Sequence, residues 1–371
     1  MNLLFLASWY PESPGSRNGI FIWQHAEAAA MDAKHSVALV AAISDVSVKK
    51  IEVRRELIHG VDHFVSHYPA GGFGLVRAWR YLWALHIAIR RKERTSGKSD
   101  LLVVNVLWRS GLLAWLYQLL FNRPYIIIEH WSGYLPEGQG YKGFYLKYFT
   151  RLVADRAERI LAVSNYLANS MRSHALLNRY SLLPNVVNTE LFKPGSAKQT
   201  DRAAYLLHIS NLATEKNFGF VVELWQSLRL KWPQLELQVA GAYITAKQQE
   251  YIEVDGIQWL GFLEGQALAS CYQNATALCM PSHFETFSIV IAEALACDCP
   301  VLATALPTYD FYSAAHHFFP LPAGDLTAWE RAFEKCFNEK PSASNYNFVY
   351  ENFSKSKVSE KLLSIIEGVM N

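Results

Sequence analysis

The sequence predicts an α/β protein of two domains, each an open parallel sheet covered by crossover helices. Three observations carry that prediction. Short apolar runs alternate with helical patterns from end to end, as parallel strands joined by helices require. At 371 residues the chain is too long for one ordinary core and fits two domains of typical size. Near the middle a polar, loop-like stretch at 184–201, with Pro184, Pro194 and Gly195, interrupts the alternation and reads as a linker. The expected domains are therefore 1–190 and 195–353.

In the first half the strand candidates are 3–7, 36–41, 101–105, 125–128 and 159–163, each a short apolar run. Helical patterns at 21–31, 75–94 and 144–157 lie between them. A second alternation supplies strands at 205–209, 235–240, 258–260, 277–280 and 301–303. The last pattern, 354–370, is amphipathic and is expected to pack back across the first domain as a helix. Two such sheets facing each other would leave a cleft at the carboxyl ends of their strands, where ligands bind in these folds.

Composition narrows the function classes. With 51% hydrophobic and 18% charged residues the chain buries large cores and is not disordered. The longest apolar run, 111–121, is interrupted by Gln118 and is too short to span a bilayer. The residues after Met1, NLLFLAS, lack a charged leader and read as a buried strand, so a cytoplasmic location is expected. Five cysteines, all in the second half, are odd in number and lack paired CxxC spacing. They read as reduced core thiols rather than as disulfides or zinc ligands.

The net charge of +2 hides an asymmetry. Residues 1–190 hold 22 Lys+Arg against 14 Asp+Glu, or +8, and the remainder 13 against 19, or −6. The densest patch, 71–98, has seven basic residues (Arg77, Arg80, Arg90, Arg91, Lys92, Arg94, Lys98) and one acid, Glu93, with Trp79, Tyr81 and Trp83 interleaved. A basic helix with such aromatics suits the face of an anionic membrane; an ordinary surface helix whose aromatics pack inward is the alternative.

The stretch 281–303, PSHFETFSIVIAEALACDCPVLA, holds the strongest chemical signal. Glu285 and Glu293 stand eight residues apart, the first before an apolar helical run and the second within it. Thr286, Phe287 and Ser288 read as the start of that helix. One carboxylate is expected in the loop and the other two turns up, with first-turn amides between them. Free amides at the positive end of a helix suit a phosphate, and carboxylates suit sugar hydroxyls. A diphosphate with a sugar on either side would satisfy all of these groups. Without the flanking pattern, Glu285 would be a helix-start charge and Glu293 a solvated side chain.

Three further segments end strands on the expected cleft side. In YLLHISNLATEKNF, Ser210, Asn211 and Lys216 follow the strand ending at Ile209, and the Lys216 ammonium can reach an anion there. His130 follows the strand 125–128, where a satisfied core histidine is the other reading. The N-terminal loop SWYPESPGSRNGIF carries Gly15 and Gly19, which permit close backbone approach, and Arg17. It is not GxGxxG, which argues against a dinucleotide dehydrogenase.

Together these residues resemble the retaining glycosyltransferases of family 4, with the GT-B arrangement of two facing Rossmann-like domains and an interdomain cleft. ETFSIVIAEALACDCPVLAT resembles the family's E-x7-E signature, SNLATEKN its phosphate-binding segment and LPNVVNTELFKP its linker. AVSNYLANSM, QWLGFLEGQALASCYQNATALCMPS and WYPESPGSRNGIFI resemble the strand–helix before the linker, the nucleotide-side unit and the acceptor-side glycine loop. The motifs occur in the family's order and cover nearly the whole chain.

The resemblance implies roles. Glu285 would contact donor-sugar hydroxyls and support positive charge at the anomeric carbon, and Lys216 would neutralise the diphosphate. Glu293 would accept from the ribose hydroxyls, and the amides of Phe287 and Ser288, with Ile289 beside them, would serve the phosphates or sugar. His130 would hold the sugar near C6, Gly19 would let the N-terminal loop approach the diphosphate, and Phe262 and Leu263 would flank the base. Ser210, Asn211 and Thr286 complete the implied donor site. Asn211 stands where the family usually has arginine, Thr286 and Ser288 where glycines are common, Asn188 where aspartate is frequent and Asp298 where glycine is common.

The implied enzyme is a metal-independent retaining hexosyl- or related glycosyltransferase without cofactor. Its donor would be a UDP- or GDP-sugar and its acceptor a glycan or lipid-linked molecule, in polysaccharide, lipopolysaccharide or glycolipid synthesis. No nucleic-acid partner is expected, and an anionic membrane surface is a candidate partner. A sugar-nucleotide epimerase on the same scaffold and a non-catalytic nucleotide-sugar-binding protein are the rival readings.

Overall fold

The structure, a computed structural model, describes residues 1–11, 18–195, 204–241, 251, 254–338 and 344–370. The chain forms two compact units, Met1–Val186 together with Lys355–Asn371, and Val187–Ser354. The boundary thus falls a few residues before the expected one. Gly15 and Arg17 of the N-terminal loop, and the end of the linker beyond residue 195, lie outside the described residues.

The first unit runs β1 (Asn2–Ala7), α1 (Ile20–Ala29), β2 (Ser36–Asp45), β3 (Glu52–Ile58), β4 (Val61–Pro69), α2 (Gly74–Ser96), β5 (Leu101–Asn105) and α3 (Leu107–Phe121). It continues through β6 (Tyr125–Glu129), α4 (Phe144–Arg156), β7 (Arg159–Ala162), α5 (Asn165–Ser173) and β8 (Tyr180–Leu182). The sheet order is β3-β4-β2-β1-β5-β6-β7-β8. Strand β3 alone runs antiparallel to its neighbour. Strands β5 and β6 are buried at every position, which is why they read as continuous apolar runs.

The hairpin β3–β4 escaped the sequence reading. Its edge strand, EVRRELI, is charged and largely exposed, as an unpaired edge must be to avoid pairing with other chains. The turn residues His59 and Gly60 both have positive φ, 46° and 84°, matching the twist of a two-residue hairpin. Helix α3 extends the apolar run 111–121 back to Leu107.

The second unit contains β9 (Tyr205–Ile209), α6 (Phe218–Arg229), β10 (Glu236–Ala240), β11 (Ile257–Gly261), α7 (Gly265–Asn274), β12 (Ala277–Met280) and α8 (Ile289–Ala296). It ends with β13 (Val301–Thr304), β14 (Phe318–Leu321), α9 (Leu326–Asn338) and α10 (Tyr346–Phe353). Its sheet order is β11-β10-β9-β12-β13-β14, every pair parallel. The order reverses between β9 and β12, and a ligand binds at such a switch point beyond the strand ends. In the first unit the reversal lies between β1 and β5.

Helix α11 (Lys355–Met370) returns to the first unit. Val358, Leu362 and Ile366 recur at four-residue spacing and share a buried core with Ile22, Ala26 and Ala29 of α1. The Ser359 hydroxyl donates to the Ala28 carbonyl at 2.6 Å, and Lys355 pairs with Glu27 at 2.7 Å. All five cysteines are free, four of them buried. Among the described residues no helix is long and apolar enough to cross a membrane.

Candidate functional site

In the second unit the site is built where β9 and β12 end. His208 Nδ1 lies 2.8 Å from the Cys279 carbonyl and Nε2 lies 2.8 Å from the Ser210 hydroxyl. A carbonyl can only accept, so Nδ1 carries the proton and Nε2 accepts from Ser210. The Ser210 oxygen in turn accepts from the Leu212 amide at 3.0 Å. Burial lowers the His208 pKa to about 4, so the ring stays neutral and the relay holds. Ser210, expected as a donor contact, therefore spends its hydroxyl on shaping the loop. Asn211 is exposed and accepts from the Ala213 amide at 3.2 Å, closing a local turn.

That loop delivers Lys216 at the end of a 3-10 turn, Thr214–Lys216. Its ammonium donates to Glu285 Oε1 at 2.6 Å, and the Ser282 hydroxyl donates to the same oxygen at 3.2 Å. The His283 amide bonds the Glu215 carbonyl at 2.8 Å, which ties the two strand-end loops together. Lys216 and Glu285, 69 residues apart in sequence, thus form one partly buried pair at the switch point.

The helix after Glu285 starts later than the sequence suggests. Ser288 is its N-cap with φ 61°, and α8 begins at Ile289. Glu293 is consequently one turn into the helix, not two. Its side chain is 1% exposed and accepts from the Tyr272 hydroxyl at 2.9 Å, so tyrosine occupies part of the role expected for a ribose. The Phe287 ring is buried against Phe311 and Phe353, with centroids 5.2 and 5.4 Å away. Only the Phe287 backbone can serve a ligand. The Thr286 carbonyl accepts from the Thr308 hydroxyl at 2.8 Å, and that of Ser288 from the Tyr312 hydroxyl at 3.2 Å. These bonds fix the turn that leads into Ile289. Phe262 and Leu263 are half-buried and follow β11 directly. The Gly241 amide bonds the Gly261 carbonyl at 2.8 Å, so the ends of β10 and β11 stand side by side.

In the first unit His130 follows β6 and is 7% exposed, with neither ring nitrogen hydrogen-bonded. Its ring packs on Phe21 at 4.2 Å and on His25 at 5.5 Å. Burial and the neighbouring His25 hold its pKa well below the usual histidine range, while Asn185 acts the other way. Asn185 is the one polar side chain that acts in that direction on this neutral ring, and neither ring nitrogen makes a hydrogen bond of good geometry, which leaves room for a ligand to supply one. Gly19, two residues before Phe21, is the N-cap of α1, with φ 77°.

Sequence reasoning missed Glu129. It is fully buried and accepts from three amides: Leu107 at 3.0 Å, His130 at 2.9 Å and Trp131 at 2.9 Å. These bonds join the loop after β5, where Val106 sits at φ 67°, to the loop bearing His130. Burial nevertheless raises the Glu129 pKa to about 7, the three amides opposing the rise. The signal was present as a lone acid closing YIIIE. Tyr272, His208 and Ser282 were also missed, because an isolated polar residue in a strand or helix carries no spacing pattern.

Acid should destabilise the first unit. Burial lowers the pKa of His25 and His63 to about 4, and that of His130 falls in the same direction. A depressed histidine contributes stability above its unfolded value of 6.5 and loses it as pH falls toward the folded value. For His25 and His63 this is worth about 3 kcal/mol each. Glu129 acts oppositely: its contribution is full below 4.5 and fades as pH rises to about 7. Three histidines against one glutamate give a net fall. Calorimetric scans at pH 7.5 and pH 5 should show it, and an unchanged transition would refute the assignment.

Comparison with known proteins agrees with this architecture. Residues 190–347 match the family model described as glycosyl transferases group 1, and residues 22–185 match the glycosyl transferase 4-like domain. D-inositol 3-phosphate glycosyltransferase of Corynebacterium urealyticum is 27% identical over 249 residues, covering 57% of this chain and 57% of that protein. The chain thus spans little more than half the length of that relative. Sucrose-phosphate synthase from Thermosynechococcus elongatus superposes with a TM-score of 0.78 at 18% identity, covering 99% of this chain and 98% of that one. An E. coli trehalose-6-phosphate protein solved bound with UDP-2-fluoro glucose superposes with a TM-score of 0.73 at 8% identity, covering 100% and 99%. The chain belongs to the group 1 glycosyl transferases and has the GT-B fold.

Proposed function

We propose that this glycosyltransferase moves a sugar from a nucleoside-diphosphate sugar to a glycan or lipid-linked acceptor and keeps the anomeric configuration. The observation that carries the reading is the Lys216–Glu285 pair, 2.6 Å apart at the switch point beside the first turn of α8. As the bond from the anomeric carbon to the diphosphate breaks, negative charge grows on the phosphate and positive charge on the sugar. Lys216 and the amides of Phe287, Ser288 and Ile289 at the start of α8, where helix geometry supplies no partner, face the first. Glu285 faces the second. Such groups, fixed before the reaction, stabilise the charge that develops.

His130 is assigned to the sugar, for which its neutral ring, with no well-formed hydrogen bond at either nitrogen, offers a donor or an acceptor. Glu293 and Tyr272 are assigned to the ribose, and Phe262 and Leu263 to the base. The diphosphate charge is assigned to protein groups rather than to a metal, so a chelator should leave turnover unchanged. A UDP-sugar is supported by the superposable protein solved with UDP-2-fluoro glucose. Synthesis of a surface polysaccharide, lipopolysaccharide or glycolipid is the setting we assign.

Thermal unfolding in the presence of UDP-, GDP- and ADP-sugars tests the reading, because a ligand that binds the folded state raises the melting temperature by mass action. At a hundredfold excess over its dissociation constant a true donor contributes about 2.7 kcal/mol. A panel without any shift would overturn the donor site. Proton NMR of the product should show an α linkage from an α-linked donor. A β product would remove retention, and conversion of the donor without acceptor would favour an epimerase.

A further inference from the structure

Helix α2 carries an unpartnered face made of two chemistries. Positions 79, 83, 86, 87, 90, 91 and 94 recur at three- and four-residue spacing and share that face. The opposite face, with Ala84, Leu85, Ala88 and Ile89, is buried on the sheet. Trp79 and Trp83 are 62% and 46% exposed, and their rings stack at 6.0 Å and 5°. Trp83 stacks in turn on His86 at 5.3 Å. Tyr81 alone of the three aromatics turns inward, under the Arg109 guanidinium at 5.7 Å.

Further along the same face stand Arg90, Arg91 and Arg94. Only Arg90 has an acidic partner on the helix, Glu93 at 3.4 Å. With Val53 of the edge strand β3, these arginines, Trp83, His86 and Ile87 line an open cavity of about 500 Å³. The lining contains no carboxylate, so an anion entering it meets guanidinium groups and an aromatic wall. Arginine forks match phosphate oxygens, and exposed tryptophan favours the zone between headgroups and acyl chains. A soluble anion would use the arginines but leave Trp79 uncovered, whereas a lipid surface uses both.

A second exposed group lies in the same helical layer. Parallel crossovers return the N-terminus of each helix to one edge of the sheet. At that edge α4 exposes Phe144 and Tyr148, stacked at 6.1 Å, in addition to Tyr145. We propose that this face of the first unit docks on an anionic bilayer, with a lipid headgroup phosphate in the cavity between α2 and β3 and Trp79 and Trp83 in the interfacial zone. The docking rests on groups outside the donor site and stands or falls independently of it.

Co-sedimentation of the full chain with vesicles tests it. Vesicles of equal parts phosphatidylglycerol and phosphatidylcholine should bind the protein, with a blue-shifted tryptophan emission, and pure phosphatidylcholine should not. Raising salt should weaken binding, since the attraction acts within a Debye length. Replacing Arg90, Arg91 and Arg94 with glutamine should lower partitioning about a hundredfold, from roughly fivefold per basic residue at an anionic surface. Trp79→Ala with Trp83→Ala should abolish the emission shift with every charge retained. Both variants change exposed side chains and should keep the wild-type melting temperature. Failure of the wild type to bind anionic vesicles, or wild-type binding by the arginine variant, would overturn the proposal. So would displacement by inorganic phosphate well beyond that caused by sodium chloride at the same ionic strength, which would mark a soluble-anion site.

Discussion

Glu285→Gln should lower turnover about a hundred- to thousandfold, the cost of removing one group that stabilises transition-state charge, while the protein remains folded. Glutamine keeps the shape and can still accept from Ser282, but it carries no charge to set against an oxocarbenium-like sugar. It also leaves the Lys216 ammonium, 2.6 Å away, without its counterion. Donor affinity should therefore change less than kcat, because Lys216 is released toward the diphosphate. Lys216→Ala should do the reverse, weakening donor affinity about 10- to 100-fold, as expected for a hydrogen bond to a charged group. Steady-state kinetics with calorimetric donor binding separate the two. If Glu285→Gln turns over within threefold of wild type, its assignment is wrong. A double-mutant cycle should show the pair to be non-additive, because the two groups share one contact.

Gly19→Ala should destabilise the first unit by about 3 kcal/mol, from backbone strain at positive φ together with forced displacement of a neighbour. At φ 77° an added Cβ would lie 2.3 Å from the Trp9 carbonyl oxygen, a backbone atom that cannot move aside alone. The sequence reading gave Gly19 a ligand-side purpose, allowing the loop to approach a diphosphate. The structure supplies a purpose that needs no ligand. The melting temperature measured without nucleotide decides between them. A normal melting temperature with weakened donor binding would restore the ligand-side role, whereas a large fall without nucleotide assigns the glycine to packing at the start of α1.

Much of the fold was legible because parallel strands buried on both faces leave a plain trace. YLLHI, ALCM and YIIIE are buried over their length and apolar except for His208 and Glu129, and each introduces a segment with unusual chemistry. What escaped was exposed or solitary. The charged edge strand β3 looks like surface loop by composition. Glu129 is one acid at a strand end, and only folding shows three amides from two loops converging on it. Ser210 and Phe287 were legible as members of the site, but not which of their atoms face a ligand. Hydrogen bonding to His208 takes the one side chain, and an aromatic cluster takes the other.

By itself the sequence determined the two-unit α/β architecture, the return of the last helix and the small set of polar residues at strand ends. These follow from periodicity and burial, which are local and add up along the chain. The tertiary structure decided which of those residues meet. Lys216 and Glu285 become a pair only because the sheet order places β9 beside β12 although α6, β10, β11 and α7 separate them along the chain. That adjacency is a consequence of topology, and no spacing in the sequence encodes it.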